Sequence, residues 1–279
     1  MEVWGGNREA DHWFEMPGLD VRVYSRPYGE STSGGDVYYI SSCASGRITR
    51  MLLADVSGHG AVVSDQAVGL LDLMRRNVNY IKQARFVRAM NRQFSKLDER
   101  GGFATALVVT YFAPTQSLTV SNAGHPPPLV FRTKDSSWRL LRHEAPASDQ
   151  IMDTPLGVVD QAAYHQTETN LSSGDMLLCY SDALIESKGQ DGEMFGTAGL
   201  LKLTQQLDMR HPELVIGNLV QAISSSRADN LDQDDATLLL LHATASKPRM
   251  KDNLLAPFRM FGPVANHTNL DFDESKATS

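Results

Sequence analysis

Met51-Leu52-Leu53-Ala54-Asp55-Val56-Ser57-Gly58-His59-Gly60 decides how this chain is read. Four apolar residues with strand propensity run into an aspartate, and the aspartate opens a glycine-rich turn. Behind the turn the period changes. Ala67, Leu70, Leu71, Met74 and Val78 recur at helical spacing, and Val87, Met90, Phe94 and Leu97 make a second stripe. Helices are expected over about 61–80 and 84–98, with Gly101-Gly102 as the stop.

Outward from that stretch the pattern is strand-rich on both sides. Val21 and Val23 alternate with polar neighbours, and Val37–Ile40 is a short apolar run. Downstream, Thr105–Phe112 and Leu118–Ser121 flank Ala113-Pro114-Thr115-Gln116, which predicts a hairpin turn. Leu129–Phe131, Trp138–Leu141, Met176–Ser181 and Ala236–Leu241 read as further strands, and a helix is expected over 212–225 with Pro212 in its first turn. Strands, helices, strands, helix, strand is the order of an α+β layered domain, not of an alternating parallel sheet. The expected limits are a lead at 1–17, one domain at 18–242 and a tail at 243–279. The tail carries an apolar patch (Leu254, Leu255, Phe258, Met260, Phe261) and an acidic end. It is expected outside the core, with docking of the patch on the domain or on a second copy, a homodimer, as the alternative.

Composition narrows the partners. The 279 residues hold 33 acids and 26 Lys and Arg, a formal charge of −7. An acidic chain is a poor match for a phosphate backbone or an anionic membrane surface, so neither nucleic acid nor membrane is an expected partner. Residues 1–15 contain acids and no apolar run, and no apolar stretch is long enough to span a bilayer. Cys43 and Cys179 are the only cysteines and form no CxxC pair, which suits thiols in a reducing cytoplasm.

The aspartates carry the chemistry. Asp36 follows Gly34-Gly35 at a strand start, Asp55 and Asp182 end strands, and Asp234-Asp235 precede the last strand. One aspartate at a strand end is an ordinary turn former. Carboxylates gathered at one sheet edge repel one another unless cations lie between them, and hard oxygen donors suit Mg²⁺ or Mn²⁺. No His/Cys set has zinc spacing, no Gly-x-Ser-x-Gly elbow suggests a serine hydrolase, and there is no P-loop.

Ser33-Gly34-Gly35-Asp36, Asp55-Val56-Ser57-Gly58-His59-Gly60, Asn122-Ala123-Gly124-His125-Pro126-Pro127, Gly174-Asp175 through Tyr180-Ser181-Asp182, and Asp234-Asp235-Ala236-Thr237 resemble, in order, the motifs of the PP2C-like serine/threonine phosphatases. Pro155-Leu156-Gly157-Val158 and Met194-Phe195-Gly196 narrow the likeness to the bacterial SpoIIE/RsbU branch. The resemblance implies a four-layer αββα sandwich. It also implies hydrolysis of phosphoserine or phosphothreonine by a water activated between two Mn²⁺ or Mg²⁺ ions, with no covalent phosphoenzyme.

Carried over by position, the resemblance makes Asp55 the bridging ligand and the Val56 carbonyl a ligand of one ion. Asp182 would bind the other ion, and Asp36 would join the cluster directly or through water. Asp234 matches the last metal position better than Asp235. His59 is either the acid for the departing serine oxygen or a loop-holding residue. His125 is expected to pack and hydrogen-bond rather than bind metal. The implied substrate is a phosphorylated regulatory protein, such as an anti-sigma-factor antagonist. Two departures stand out: Ala183 where the family has Gly, and Ser64-Asp65-Gln66 after the glycine-rich turn. They are the support for an alternative reading, a non-catalytic scaffold that keeps the fold.

Overall fold

The computed structural model describes residues 2–43, 46–58, 61–97, 102–142, 151–246 and 265–268. Two sheets stack face to face. The first is ordered β10 (Thr167–Asn170), β7 (Ser117–Ala123), β6 (Ala104–Phe112), β5 (Ile48–Val56), β4 (Asp36–Cys43), β1 (Glu2–Gly6), β13 (Ala265–Thr268). The second is ordered β2 (Ala10–Met16), β3 (Leu19–Arg26), β12 (Ala236–Ala243), β11 (Met176–Tyr180), β8 (Leu129–Arg132), β9 (Ser137–Leu140). All pairings are antiparallel except β1 with β13, which is parallel. Helices α1 (Ala61–Asn77) and α2 (Gln83–Phe94) cover the first sheet. Helices α3 (Ala183–Glu186), α4 (Gly196–Thr204) and α5 (Val215–Ser226) lie against the second.

Strand alternation builds the four layers. In β5, Leu52 and Ala54 face α1 and α2, while Met51 and Leu53 face the other sheet. In β12, Leu239 and Leu241 face the first sheet and Leu238 and Leu240 pack on α5. Both faces of these central strands are therefore apolar, which is why they read as continuous hydrophobic runs rather than alternating ones. The expected αββα sandwich is what forms.

Most expected elements are present with shifted ends. The helices stop at Asn77 and Phe94, short of 80 and 98, and Leu97 is exposed rather than on the apolar stripe. The hairpin turn at 113–116 closes with Gln116 at φ 55°. Residues 212–225 split into a 3₁₀ turn, Pro212–Leu214, and α5.

Two segments expected outside the domain are part of it. Residues 2–16 supply β1, paired with β4, and β2, paired with β3. The polar Asp11, His12 and Glu15 mask the signal of β2, whose Ala10, Phe14 and Met16 point inward. In the tail, Ala265–Thr268 extends the first sheet beyond β1. The apolar patch at 254–261 lies outside the described residues. Strand β10, a polar edge strand reading Thr-Glu-Thr-Asn, has no apolar alternation by which to find it.

Candidate metal centre

Register brings the first two aspartates together. Asp36 opens β4 and Asp55 closes β5, and the two are direct cross-strand partners. Asp36 is buried at 3% exposure, and its Oδ2 has no hydrogen-bond partner among the described residues. The Ser181 and Thr237 side chains, from the second sheet, act to lower its carboxyl, against a larger upward push. Burial, then Asp55 and Asp235, hold the Asp36 carboxyl well above the ordinary carboxylate range. Asp55 is pushed up to about 7, first by burial and then by Asp182, Asp234, Asp235 and Glu186. Asp182 is pushed up to about 6 by burial, Glu186 and Asp234.

Ser181 and Thr237 clamp the second sheet at this point. The Ser181 amide donates to the Thr237 carbonyl (2.9 Å), and the Thr237 amide donates to the Ser181 Oγ (2.9 Å). Ser25 Oγ lies 3.0 Å from Thr237 Oγ1. The strand ends of both sheets thus open on one place, where acids of the first sheet face acids of the second.

Asp234 and Asp235 have separate jobs. Asp235 Oδ1 accepts from the Tyr28 amide (2.6 Å), and its Oδ2 accepts from the amides of Gly35 (2.6 Å) and Asp36 (3.4 Å). A Cβ on Gly34 would sit 2.3 Å from that carboxylate, so only glycine lets the loop close on it. Asp234 is turned to solvent; its Oδ1 accepts only the neighbouring Asp235 amide. Asp235→Ala should therefore cost about 2–4 kcal/mol in a urea melt, because it strands a set of loop amides. Asp234→Ala should leave the midpoint where it is or raise it.

The loop after β5 is held from the side. The Ser57 amide donates to the Phe103 carbonyl (2.9 Å), and the Phe103 amide donates to Ser57 Oγ (3.1 Å). A Cβ on Gly35 would lie 3.0 Å from the Val56 carbonyl, so that oxygen and the Gly34-Gly35 loop are close neighbours. His59 lies outside the described residues. Ala183 carries no left-handed strain: it starts α3 and is absent from the non-glycine residues at positive φ. Ser64 joins the site wall, with its Oγ 2.9 Å from Ser33 Oγ.

His125 packs, as its loop suggests. It is buried, its Nδ1 lies 2.8 Å from Thr105 Oγ1, and burial lowers it to about 4, so the ring is neutral at physiological pH. Asn122 brackets the same loop, accepting from the His125 amide and donating to its carbonyl.

The sequence reading missed four contributors. Glu186, one helical turn beyond Asp182, adds a carboxylate that raises both Asp55 and Asp182; its i, i+4 spacing was the available signal. Ser181 and Thr237 sat inside the quoted motifs but have no charge to draw notice. Asn7, in the segment expected to be a lead, donates to the Gly34 carbonyl (2.9 Å) and to Ser64 Oγ (3.2 Å), and its own carbonyl accepts from the Gly34 amide.

A cleft of about 860 Å³ runs over Ser31–Gly35, Gly58, Ser64, Asp234 and Asp235. A smaller one of about 190 Å³, with Glu186, Lys188 and Asp229 in its wall, meets it at Gln233 and Asp234. Among the described residues no three His, Cys, Asp or Glu side chains already close on a single point. The donor set is nevertheless that of a hard cation: carboxylates, a nearby backbone carbonyl, and a buried Asp36 oxygen with no partner among the described residues.

Two sheets packed face to face between helical layers, with acids at the facing strand ends, define the PP2C-like phosphatase fold. The family model for stage II sporulation protein E (SpoIIE) matches residues 45–244, and the chain belongs to that family. It is 23% identical over 226 residues to the phosphoserine phosphatase RsbU of Bacillus subtilis, covering 80% of this chain and 63% of the relative. The chain thus spans less than two thirds of that protein. The PP2C phosphatase domain of SpoIIE from Bacillus subtilis, solved with a fragment of its regulatory domain, superposes with a TM-score of 0.66 at 15% identity, covering 82% of this chain and 64% of that one. RsbX in complex with magnesium superposes at 0.60 and 14% identity, covering 84% and 100%. No helix among the described residues is long and apolar enough to cross a membrane. Cys43 and Cys179 are both free thiols.

Proposed function

We propose that this chain is a metal-dependent protein serine/threonine phosphatase. The observation that carries the reading is the meeting of Asp36 with Asp55 across the β4–β5 ladder and of Asp55 with the charge of Asp182, all three carboxyls being raised first by burial and then by neighbouring acids. Such a cluster is costly unless divalent cations take the place of the retained protons. Mn²⁺ or Mg²⁺ ions, when bound, supply positive charge against the phosphate and make water a stronger acid.

The chain's own groups do the rest. Asp55, with neighbours on both sheets, would be the ligand common to the ions, and Asp182, Asp234 and the Val56 carbonyl would be the further ligands. Asp36 binds directly or through water. Asp235 holds the Tyr28–Asp36 loop in place and is proposed as a positioning residue. His59 is the proposed acid for the departing serine oxygen. The two clefts that meet at Asp234 offer room for a phosphorylated side chain and its flanking backbone. The family membership and the name of the RsbU relative support a phosphorylated regulatory protein as substrate, with an anti-sigma-factor antagonist as the first one to try, in the cytoplasm.

The test is Mn²⁺-dependent release of phosphate from a phosphoserine peptide by the full chain, repeated with Asp182→Asn. Loss of at least about tenfold in the variant is expected; full activity would remove Asp182 from the site. Calorimetric titration with Mn²⁺ separates this reading from a non-catalytic scaffold, for which no heat of binding at millimolar metal is expected. Ala183, one of the two features that favoured the scaffold, is unstrained in the structure.

A further inference from the structure

Helix α2 carries a row of exposed cations whose one side-chain hydrogen bond among the described residues runs from Arg88 Nε to the Ala84 carbonyl of the same helix (3.2 Å). Arg85, Arg88 and Arg92 are exposed and follow one another at i, i+3 and i+7, so they share one face, and Lys82 extends the row at the helix start. No salt bridge joins any of the four to a described carboxylate. The placement costs the helix stability. Lys82 and Arg85 sit at the positive end of the helix dipole, the first turn holds no acid, and Arg88 and Arg92 repel at i, i+4. A local rule broken without local compensation points to binding.

The surroundings are concave. A groove of about 800 Å³ lies beside Lys82, Arg85 and Arg88, and a second of about 560 Å³ continues past Arg88 and Arg92. Each has an exposed aliphatic side chain on its wall: Ile81, 92% exposed, in the first and Ile151, 60% exposed, in the second. Cations in a row with an aliphatic group at either end match an extended segment that alternates acidic and apolar residues.

We propose that this trough on α2 docks an acidic, partly apolar polypeptide segment of a protein partner. The charge pattern selects that occupant. The chain as a whole is at −7, and Asp160 and Glu168 stand in the trough walls. A long polyanion such as nucleic acid would run from the row onto acidic surface. A flat bilayer does not enter a groove. A discrete acidic segment can lie along the cation row on the α2 side, away from Asp160 and Glu168 on the facing walls, and the row from Arg85 to Arg92 covers about 10 Å of helix, enough for several extended residues.

The proposal makes no use of the metal centre, so it is decided independently of the phosphatase reading. The probe is a fluorescein-labelled pool of short peptides alternating Glu or Asp with Leu or Val, followed by anisotropy against the full chain at low salt. Saturable binding is expected, weakened about tenfold or more in the Arg85→Glu, Arg88→Glu, Arg92→Glu triple variant. The triple variant should keep the parent's helix signal by circular dichroism, and the single Arg85→Glu variant should melt no lower than the parent, since an acid suits the first turn of α2. Binding unchanged in the variant, absence of saturable binding to the parent, or tighter binding of a single-stranded oligonucleotide or of phosphatidylserine vesicles than of the peptide would each overturn the proposal.

Discussion

Asp55→Asn is expected to lower kcat for a phosphoserine peptide roughly 10²–10³-fold in saturating Mn²⁺, the range for removing one preorganised charge from a reacting centre. Asp55 stands where the two sheets contribute to the same cluster. It faces Asp36 across the β4–β5 ladder and feels Asp182, Asp234, Asp235 and Glu186. Asparagine keeps the shape and one acceptor oxygen, so the ladder between β4 and β5 has no reason to break. The change removes one negative charge from a crowd of them, and the metal-free variant should therefore melt higher than the parent. A variant that is both inactive and less stable would show that Asp55 serves the fold instead. A variant that keeps its rate would show that the reacting centre lies elsewhere.

The second large effect is on stability against pH. The Asp55 carboxyl moves from 3.8 to about 7 on folding, and that of Asp182 from 3.8 to about 6. Both shifts are upward, so in this window the folded chain holds protons that the unfolded chain has released. Stability from these groups is fully present below about 4 and is lost as pH rises through 6 and 7. Without metal, the melting temperature should fall between pH 6.5 and pH 8, above the range in which buried, neutral His125 acts in the opposite direction. Saturating Mn²⁺ should reverse the fall at pH 8, because cations replace protons between the carboxylates and bind only the folded cluster. In Asp55→Asn the slope should flatten. A metal-free melting temperature that is level or rising across this range would contradict the proposed crowding of acids.

Glu186 shows how far sequence reading reaches into such a site. Asp55, Asp182 and Asp36 could be found because each ends or begins an apolar strand beside a glycine-rich or small-residue turn, and that juxtaposition is local. Glu186 lies on a short helix that sequence reading passed over, and its contribution exists only because α3 turns it back toward Asp182. Asn7 was hidden for a related reason. It follows β1, a strand of five residues held by its pairing with β4 and β13, and nothing near it in sequence mentions the Gly34 loop it holds. The choice between Asp234 and Asp235 was open in sequence, since adjacent aspartates have the same composition on either side. In the structure the loop amides of Tyr28, Gly35 and Asp36 occupy Asp235 and leave Asp234 to the cleft.

By itself the sequence determined most of the strands and helices, their layered α+β order and the place of the acids at strand ends. Apolar runs at strand length, two helical stripes and aspartates at strand ends are local facts, set by side-chain period and turn propensity. Tertiary structure alone decided which acids share a field, which one serves the loop, and that both chain ends enter the sheets. Those outcomes depend on register and on charge separations of a few ångströms between residues as distant in the chain as Asp36 and Asp235. Coulomb energy varies with distance in space, and no local pattern in the sequence records it.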